Sequence, residues 1–421
     1  MELQAATPIA AIRTATRTMH ERIDSGPYAR AILDGTLPVG RYASFLRALH
    51  VVHGELEHAV EMSGNTALRD AFVHGVERRQ RLERDIAFLQ TDIRGVDAAV
   101  LHAVVLSQQV RADARQSAAA LFGHLYVLEG SQLGGLALRM TLAKRPEFQE
   151  GGLAYLSGAG RDTATQFKAF IAKLEASLGD EAAVAEAVAG AQHAFAGIEA
   201  ILEAVMSERL DGPRLAEALN LAAGTHPVPG DLREIQAALR AGEQSYRAFA
   251  YYEARYGDRG LRFTRSDSAW LATLCHERSG DDTALRQVDW LARVLAARGM
   301  PRLLMERHLE QLHTTLTACV PEAAASYEPL RRAAEVLERE RTALLSEART
   351  QELASEFKAQ TSAGITQEEA GLLLVAAVLD EKRGVGNAVE SLVQWLGDPT
   401  RFPADWRSAI DHTVHTARAA F

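Results

Sequence analysis

The chain has 421 residues, 47% hydrophobic and 24% charged, an ordinary globular composition with enough apolar side chains for more than one core. A formal net charge of −9 gives no reason to expect nucleic acid as a partner, and the cysteines, Cys275 and Cys319, have no metal-ligand spacing and exclude a disulfide framework. The N-terminal MELQAATPIAAIR lacks the basic start and long apolar run of a secretory signal, and the longest uncharged apolar run, Ala370 to Leu379, is far short of the ~20 residues of a membrane span. No membrane partner and a cytoplasmic location are therefore expected.

Thr7-Pro8 reads as an N-cap followed by proline at the first helical position, and the helix it starts should run to about Ser25, before Gly26-Pro27. Arg13, Arg17, His20 and Asp24 follow at spacings of four, three and four, so they share one helical face. Such a stripe can be a plain solvated face. As a site it offers an imidazole to a metal, a carboxylate to orient that imidazole, and two cations for acidic groups. A second amphipathic helix is expected over Val39 to Met62, with Phe45, Leu46, Leu49, Val52 and Leu56 on its apolar side. On it His50, His53 and Glu57 share a face in a spacing that a metal could use and that chance also produces. A charged segment, Arg78 to Asp85, and a helix over about Ala98 to Val110 come next.

The most informative stretch is Tyr126-Val127-Leu128-Glu129-Gly130-Ser131-Gln132-Leu133-Gly134-Gly135. It continues an apolar, helix-prone run from Ala118, and helical sequence resumes from Leu136 to Leu142. Each glycine in a helix costs ~1 kcal/mol relative to alanine. A reason for three is that the backbone must come into contact with something flat, which a Cβ would prevent, so a kinked helix over a planar cofactor is expected. The plainer reading is a turn joining two helices. Gly151 to Gly160 reads as a loop, followed by a helix from Asp162 to Ser177 with Phe167, Lys168, Phe170, Lys173 and Leu174, and another from Glu181 to Met206 containing Gln192-His193-Ala194-Phe195. No segment alternates strictly as half-buried strands do, so the fold class is all-α.

Turn-rich sequence around Asp211-Gly212-Pro213 and Gly224 to Gly230 marks a linker, dividing the chain into 1–210, the linker 211–230 and a second all-helical domain, 231–421. In that domain Trp270, Trp290, Leu291, Val294 and Leu295 are expected in the core, and Arg298-Gly299-Met300-Pro301 breaks one helix before the next, which carries His308 and His313. Charged helices from Tyr327 to Phe357 precede an apolar one, Glu368 to Leu379. Tyr251-Tyr252 and the turn Tyr256-Gly257-Asp258-Arg259-Gly260 could line a small-molecule or partner surface. The order and lengths of these helices resemble globin-like sensor modules, some of which hold no heme; a lone histidine such as His308 is more often structural than a ligand.

Four patterns in the first half, taken together and in order, resemble heme oxygenases, most closely the bacterial type that accompanies bacteriophytochromes. They are Arg13-x-Ala15-Thr16-Arg17-x-x-His20-x-x-x-Asp24; Phe45-Leu46-x-x-Leu49-His50-x-x-His53-x-x-Leu56-Glu57; Leu125-Tyr126-Val127-Leu128-Glu129-Gly130-Ser131-x-Leu133-Gly134-Gly135; and Leu156-x-Gly158-x-Gly160 with Phe167-x-x-Phe170-x-x-x-Leu174. The resemblance covers about residues 8 to 206. It implies a heme-oxygenase-like helical domain in which His20 is the axial ligand of the heme iron and Asp24 holds its other ring nitrogen. Gly130, Gly134 and Gly135 would let the distal helix, with Tyr126, approach the porphyrin, and Ser131 would stand among the distal polar groups. Arg13 and Arg17, with Lys168 and Lys173 as looser matches, would meet the propionates. Asp24 stands where a glutamate is usual, Ser131 where animal enzymes place an aspartate, and Phe167 where the bacterial type usually has tryptophan.

The activity the resemblance implies is oxidation of heme to biliverdin, iron and carbon monoxide. Oxygen and an external donor, a reductase or ferredoxin, would be consumed, and a bacteriophytochrome is a possible acceptor of the bilin. Two other readings remain: a sensor of this fold that binds heme or a bilin without turnover, and a di-iron oxidase of related fold using His50, His53 and Glu57. Thiamin-degrading relatives use a cysteine nucleophile, which the first half lacks.

Overall fold

The computed structural model describes residues 7–72, 74–207, 226–276, 281–362 and 367–420. The chain divides into two compact units, Met1–Leu219 and Asn220–Phe421, and both are helical. Most of the expected linker, residues 211–225, lies outside the described residues.

The first unit comprises α1 (Pro8–Asp24), α2 (Pro27–Leu33), α3 (Val39–Met62), α4 (Thr66–Ala71), α5 (Gly75–Phe88), α6 (Ala98–Gln116), α7 (Ala118–Leu142), α8 (Thr163–Ser177) and α9 (Glu181–Met206). Side-chain caps define several of their starts: Thr7 Oγ1 accepts from the Ala10 amide at 3.3 Å, and Asp97 and Asp180 serve α6 and α9 in the same way. The apolar stripe expected on α3 is buried at Leu46, Leu49, Val52 and Leu56; α3 packs on α6, whose Val100, Leu101 and Val104 are buried as well. Helix α6 runs well past Val110, because Gln109 and Asp113 pair one turn apart and its end reaches the Ser117 cap of α7.

Helix α9 packs against α1, α3, α6 and α7, and its contact with α7 is the closest. A Cβ on Gly123 would stand 2.0 Å from the Ala187 carbonyl oxygen, and one on Gly190 would stand 2.0 Å from that of Ala120. The two backbones therefore touch through reciprocal glycines. This crossing, with Ala120, Ala187 and Ala191 beside it, fixes the first half of α7.

The second unit comprises α10 (Leu232–Arg247), α11 (Ala250–Leu274), α12 (Asp281–Ala296), α13 (Arg302–Cys319), α14 (Glu328–Thr342), α15 (Glu347–Gln360), α16 (Gln367–Lys382), α17 (Ala388–Leu396) and α18 (Ala404–Arg418). The apolar run Ala370–Leu379 forms the middle of α16 and is buried throughout. A helix apolar on all sides must be surrounded. Helices α15, α17 and α18 cover it, with Phe357, Leu392 and Trp406 against it. Two expectations fail in this unit. Trp290 is 56% exposed, because Val288, Leu291 and Ala292 already form the inward stripe of α12 and place residue 290 off it. Residues 256–260 are no free turn but a kink within α11, at Gly257 with φ 52° and ψ −152°, a backbone that favours glycine. Tyr251 and Tyr252 do not line a surface either: Tyr251 is fully buried and donates to the Gly299 carbonyl, and Tyr252 packs on the same core.

Candidate functional site

Ile9, Ile12 and Thr16 are the buried residues of α1, and Arg13, Arg17 and His20 are exposed along the flank of that stripe. The His20 side chain is 60% exposed and its Nδ1 lies 2.8 Å from an Asp24 carboxylate oxygen. The shorter aspartate reaches the ring directly, without a bridging water. Accepting the Nδ1 proton fixes the tautomer and leaves the Nε2 lone pair available to a metal. Phe195 of α9 lies beside the ring, 5.8 Å between centroids. Arg13 and Arg17 have no ion-pair partner among the described residues.

Helix α7 passes through its glycines without a break or a residue of non-helical backbone, so no turn separates two helices there. The glycines have different surroundings. A Cβ on Gly134 would meet nothing within 4 Å, and one on Gly130 would meet only the Phe167 ring at 3.7 Å. Gly135 is buried and faces Leu156 at 3.4 Å. A Cβ at 135 would sit at ordinary contact distance from Leu156 and one at 134 in open space, so protein packing accounts for the ~1 kcal/mol cost of glycine at neither position. Around Gly134 the same helix exposes Leu133 (39%) and Met140 (68%), together with Ala137. Among the described residues this apolar face is left exposed. Tyr126, Gly130 and Gly134 succeed one another at single-turn spacing along it, and Tyr126 and Phe167 edge it with ring centroids 6.4 Å apart. Helices α8 and α9 each pack on both α1 and α7, while α1 and α7 make at most marginal contact with one another.

The polar groups near this face differ in freedom. Ser131 is exposed, and its hydroxyl donates to the Leu128 carbonyl at 2.7 Å. Gln132 is buried, and its Oε1 has no partner among the described residues. Behind α7, Arg78 and Glu129 form a buried, two-pronged ion pair, and Asp85 accepts from the Ala154 and Tyr155 amides at 2.8 Å. His53 is fully buried; its Nε2 lies 3.0 Å from the Tyr155 hydroxyl and its Nδ1 has no partner among the described residues. Burial, helped by the charge of Arg78, lowers its pKa to about 3, and burial pushes Tyr155 up to about 12. The pair is thus a neutral imidazole and a neutral phenol at ordinary pH.

The other sequence-derived residues are placed as follows. Lys168 is exposed on α8, whereas the Lys173 ammonium donates to the Asp70 carbonyl of α4. His50, His53 and Glu57 do not converge on a metal: His50 faces Glu83 at 3.2 Å, His53 faces Tyr155, and Glu57 accepts from Arg79 at 2.8 Å. In the second unit, His308 is a core residue with Nδ1 2.9 Å from Ser245 Oγ and Nε2 3.1 Å from Ser268 Oγ, leaving no nitrogen for iron. A cleft of about 500 Å³ there is lined by Asp231, Arg233, Glu234, His276 and Glu322, whose charges pair among themselves. Phe195, Tyr155 and Leu133 were not legible as site residues, since each is an ordinary apolar position until the helices are brought together.

The heme oxygenase family model matches residues 7–204. A heme oxygenase from Xanthomonas campestris pv. campestris (strain 8004) is 34% identical over 178 residues, which is 42% of this chain and 96% of that protein. A solved heme oxygenase from Leptospira interrogans, at 19% identity, covers 47% of this chain and 98% of its own, with a TM-score of 0.40. With its glycine-faced α7, its carboxylate-oriented His20 and a relative matched over nearly its whole length, this chain belongs to the heme oxygenase family.

Proposed function

We propose that the first unit oxidises heme to biliverdin, iron and carbon monoxide, drawing on oxygen and on electrons from an external reductase or ferredoxin. The observation that carries this reading is Gly134: a solvent-facing helical glycine that no protein atom requires, on an apolar face left exposed among the described residues. Residues present at the site suit a flat, dianionic ligand with an iron at its centre. His20 offers Nε2 to the iron, and Asp24, accepting from Nδ1, orients the ring towards it. Arg13 and Arg17 are free to meet the propionates, as is Lys168, whereas Lys173 is already committed to Asp70. Their positions would decide which ring edge faces the distal polar groups. Gly130 and Gly134 admit the macrocycle, Gly135 sets the helix against Leu156, and Tyr126 borders the plane.

Bound heme supplies both the redox iron and the ring that is opened. A neutral imidazole ligand, unlike a thiolate, does not drive cleavage of the O–O bond by electron donation. On the other side, Ser131 can turn its hydroxyl from Leu128 to hold a water beside the glycines. A cytoplasmic location and release of the bilin to a phytochrome-type acceptor fit this reading; among the described residues no helix is long and apolar enough to cross a membrane. Residues 231–421 would regulate the first unit or receive its product, with no chemistry of their own.

The test is to incubate the purified chain with hemin, oxygen and a reductant. A bilin spectrum is expected, and His20→Ala should remove both the axial-histidine signature and turnover. Stable heme binding with no bilin would favour the sensor reading, and an unchanged spectrum in His20→Ala would remove His20 from the site.

A further inference from the structure

Among the described residues, one group of side chains has the donor set of a metal centre: Asp113 of α6, His124 of α7 and His193 of α9. His124 Nε2 lies 2.7 Å and His193 Nδ1 2.9 Å from the same Asp113 oxygen, Oδ2, and the three ligand atoms fall within 4.8 Å of one another. We propose that these three residues bind a divalent first-row transition ion that ties the root of α7 to α6 and α9, at a site separate from His20.

Hydrogen bonding alone leaves the cluster in conflict. Gln109 Nε2 lies 2.8 Å from Asp113 Oδ1 and 3.3 Å from His193 Nδ1. If His193 carries its proton on Nδ1 and donates to Asp113, that N–H faces the Gln109 amide N–H. If the proton is on Nε2, the Nδ1 lone pair faces the carboxylate. Turning the Gln109 amide over only sets its carbonyl against Asp113. A cation resolves all three contacts: both imidazole lone pairs and Oδ2 point to it, while Gln109 donates to Oδ1 from outside the ligand set. Two imidazoles and one carboxylate suit zinc or a similar borderline ion and leave a position for water. The Asp113 and His124 side chains are 6% and 2% exposed and preorganised, while His193, at 44%, provides a way in from solvent.

The test uses the full-length, heme-free protein after chelator treatment, titrated with Co²⁺ as a spectroscopic probe and then with Zn²⁺ as competitor. One equivalent of Co²⁺ should give ligand-field bands of nitrogen–oxygen coordination that Zn²⁺ displaces, and the same equivalent should persist in His20→Ala. His193→Ala, at an exposed position, should weaken binding more than about tenfold with unchanged dichroism and unchanged heme binding. Asp113→Asn should do the same if it folds, and His193→Ala decides the matter if it does not. No saturable equivalent, or equal affinity in the parent and His193→Ala, would overturn the proposal.

Discussion

At the scale of single residues, the site is marked by what its atoms are not doing. His20 spends one ring nitrogen on Asp24 and keeps the other; Gly134 has a Cα hydrogen facing empty space; Arg13 and Arg17 lack carboxylate partners among the described residues. These features predict opposite responses of stability and binding to one substitution. Gly134→Ala meets no protein atom within 4 Å and removes backbone freedom from the unfolded chain, so it should stabilise the first unit by ~0.4–1 kcal/mol. The same methyl group would overpack a ligand lying on the helix by ~1–3 kcal/mol, which is a roughly five- to 150-fold loss of heme affinity. Chemical denaturation beside a hemin titration reads both. A variant that is more stable and binds heme as well as the parent would show that the glycine face is not a heme contact.

Helix by helix, the glycines at 123 and 190 play the contrary part. Gly190→Ala would place a Cβ 2.0 Å from the Ala120 carbonyl oxygen, so α7 and α9 must separate, at a cost of ~1–3 kcal/mol. Helix α9 also carries Phe195 beside His20 and Glu199, which takes both prongs of Arg22 on α1 at 2.7 Å. Moving α9 therefore disturbs both walls of the site, and stability and heme binding should fall together in Gly190→Ala. Denaturation and titration measured as for Gly134→Ala would show this, and full stability in Gly190→Ala would refute the close crossing. The contrast also shows what a sequence can reveal. The bounds of α3 and α9 were legible because their apolar spacing and flanking polar or proline residues act locally, and the run at 130–135 was legible because three glycines in six residues are unusual in a helix. A lone Gly123 or Gly190 has no such signature; its meaning lies in a partner more than sixty residues away. The cluster of Asp113, His124 and His193 was hidden for the same reason, since each residue sits on a different helix. Trp290 failed differently: tryptophan is usually buried, but its place on α12 was decided by the phase of Val288 and Leu291.

For the whole molecule, the two units can be followed apart because all four tryptophans, Trp270, Trp290, Trp395 and Trp406, lie in the second. Each unit also buries a histidine in neutral form: burial lowers His53 to about 3 and His308 to about 4. An imidazole depressed in the native state is protonated first in the unfolded chain. Its stabilising effect is therefore intact above the unfolded value of about 6.5 and is lost as the pH falls from there towards the native values. Between pH 7 and pH 5 the linkage amounts to about 2 kcal/mol for each histidine. Buried carboxyls act in the other direction: burial raises Asp267 to about 7 and Asp380 to about 6 in the second unit, and it raises Glu129 in the first. The raw pH curve is therefore a sum of opposing contributions, and a difference between variants is needed. Glutamine in place of His308 can still bond Ser245 and Ser268 but cannot titrate. In urea unfolding followed by tryptophan fluorescence, the parent should lose about 2 kcal/mol more than His308→Gln between pH 7 and pH 5. His53→Gln should leave that fluorescence curve unchanged and alter only the circular-dichroism transition of the first unit. If the parent and His308→Gln respond identically to pH in fluorescence, His308 is not held neutral in the native core.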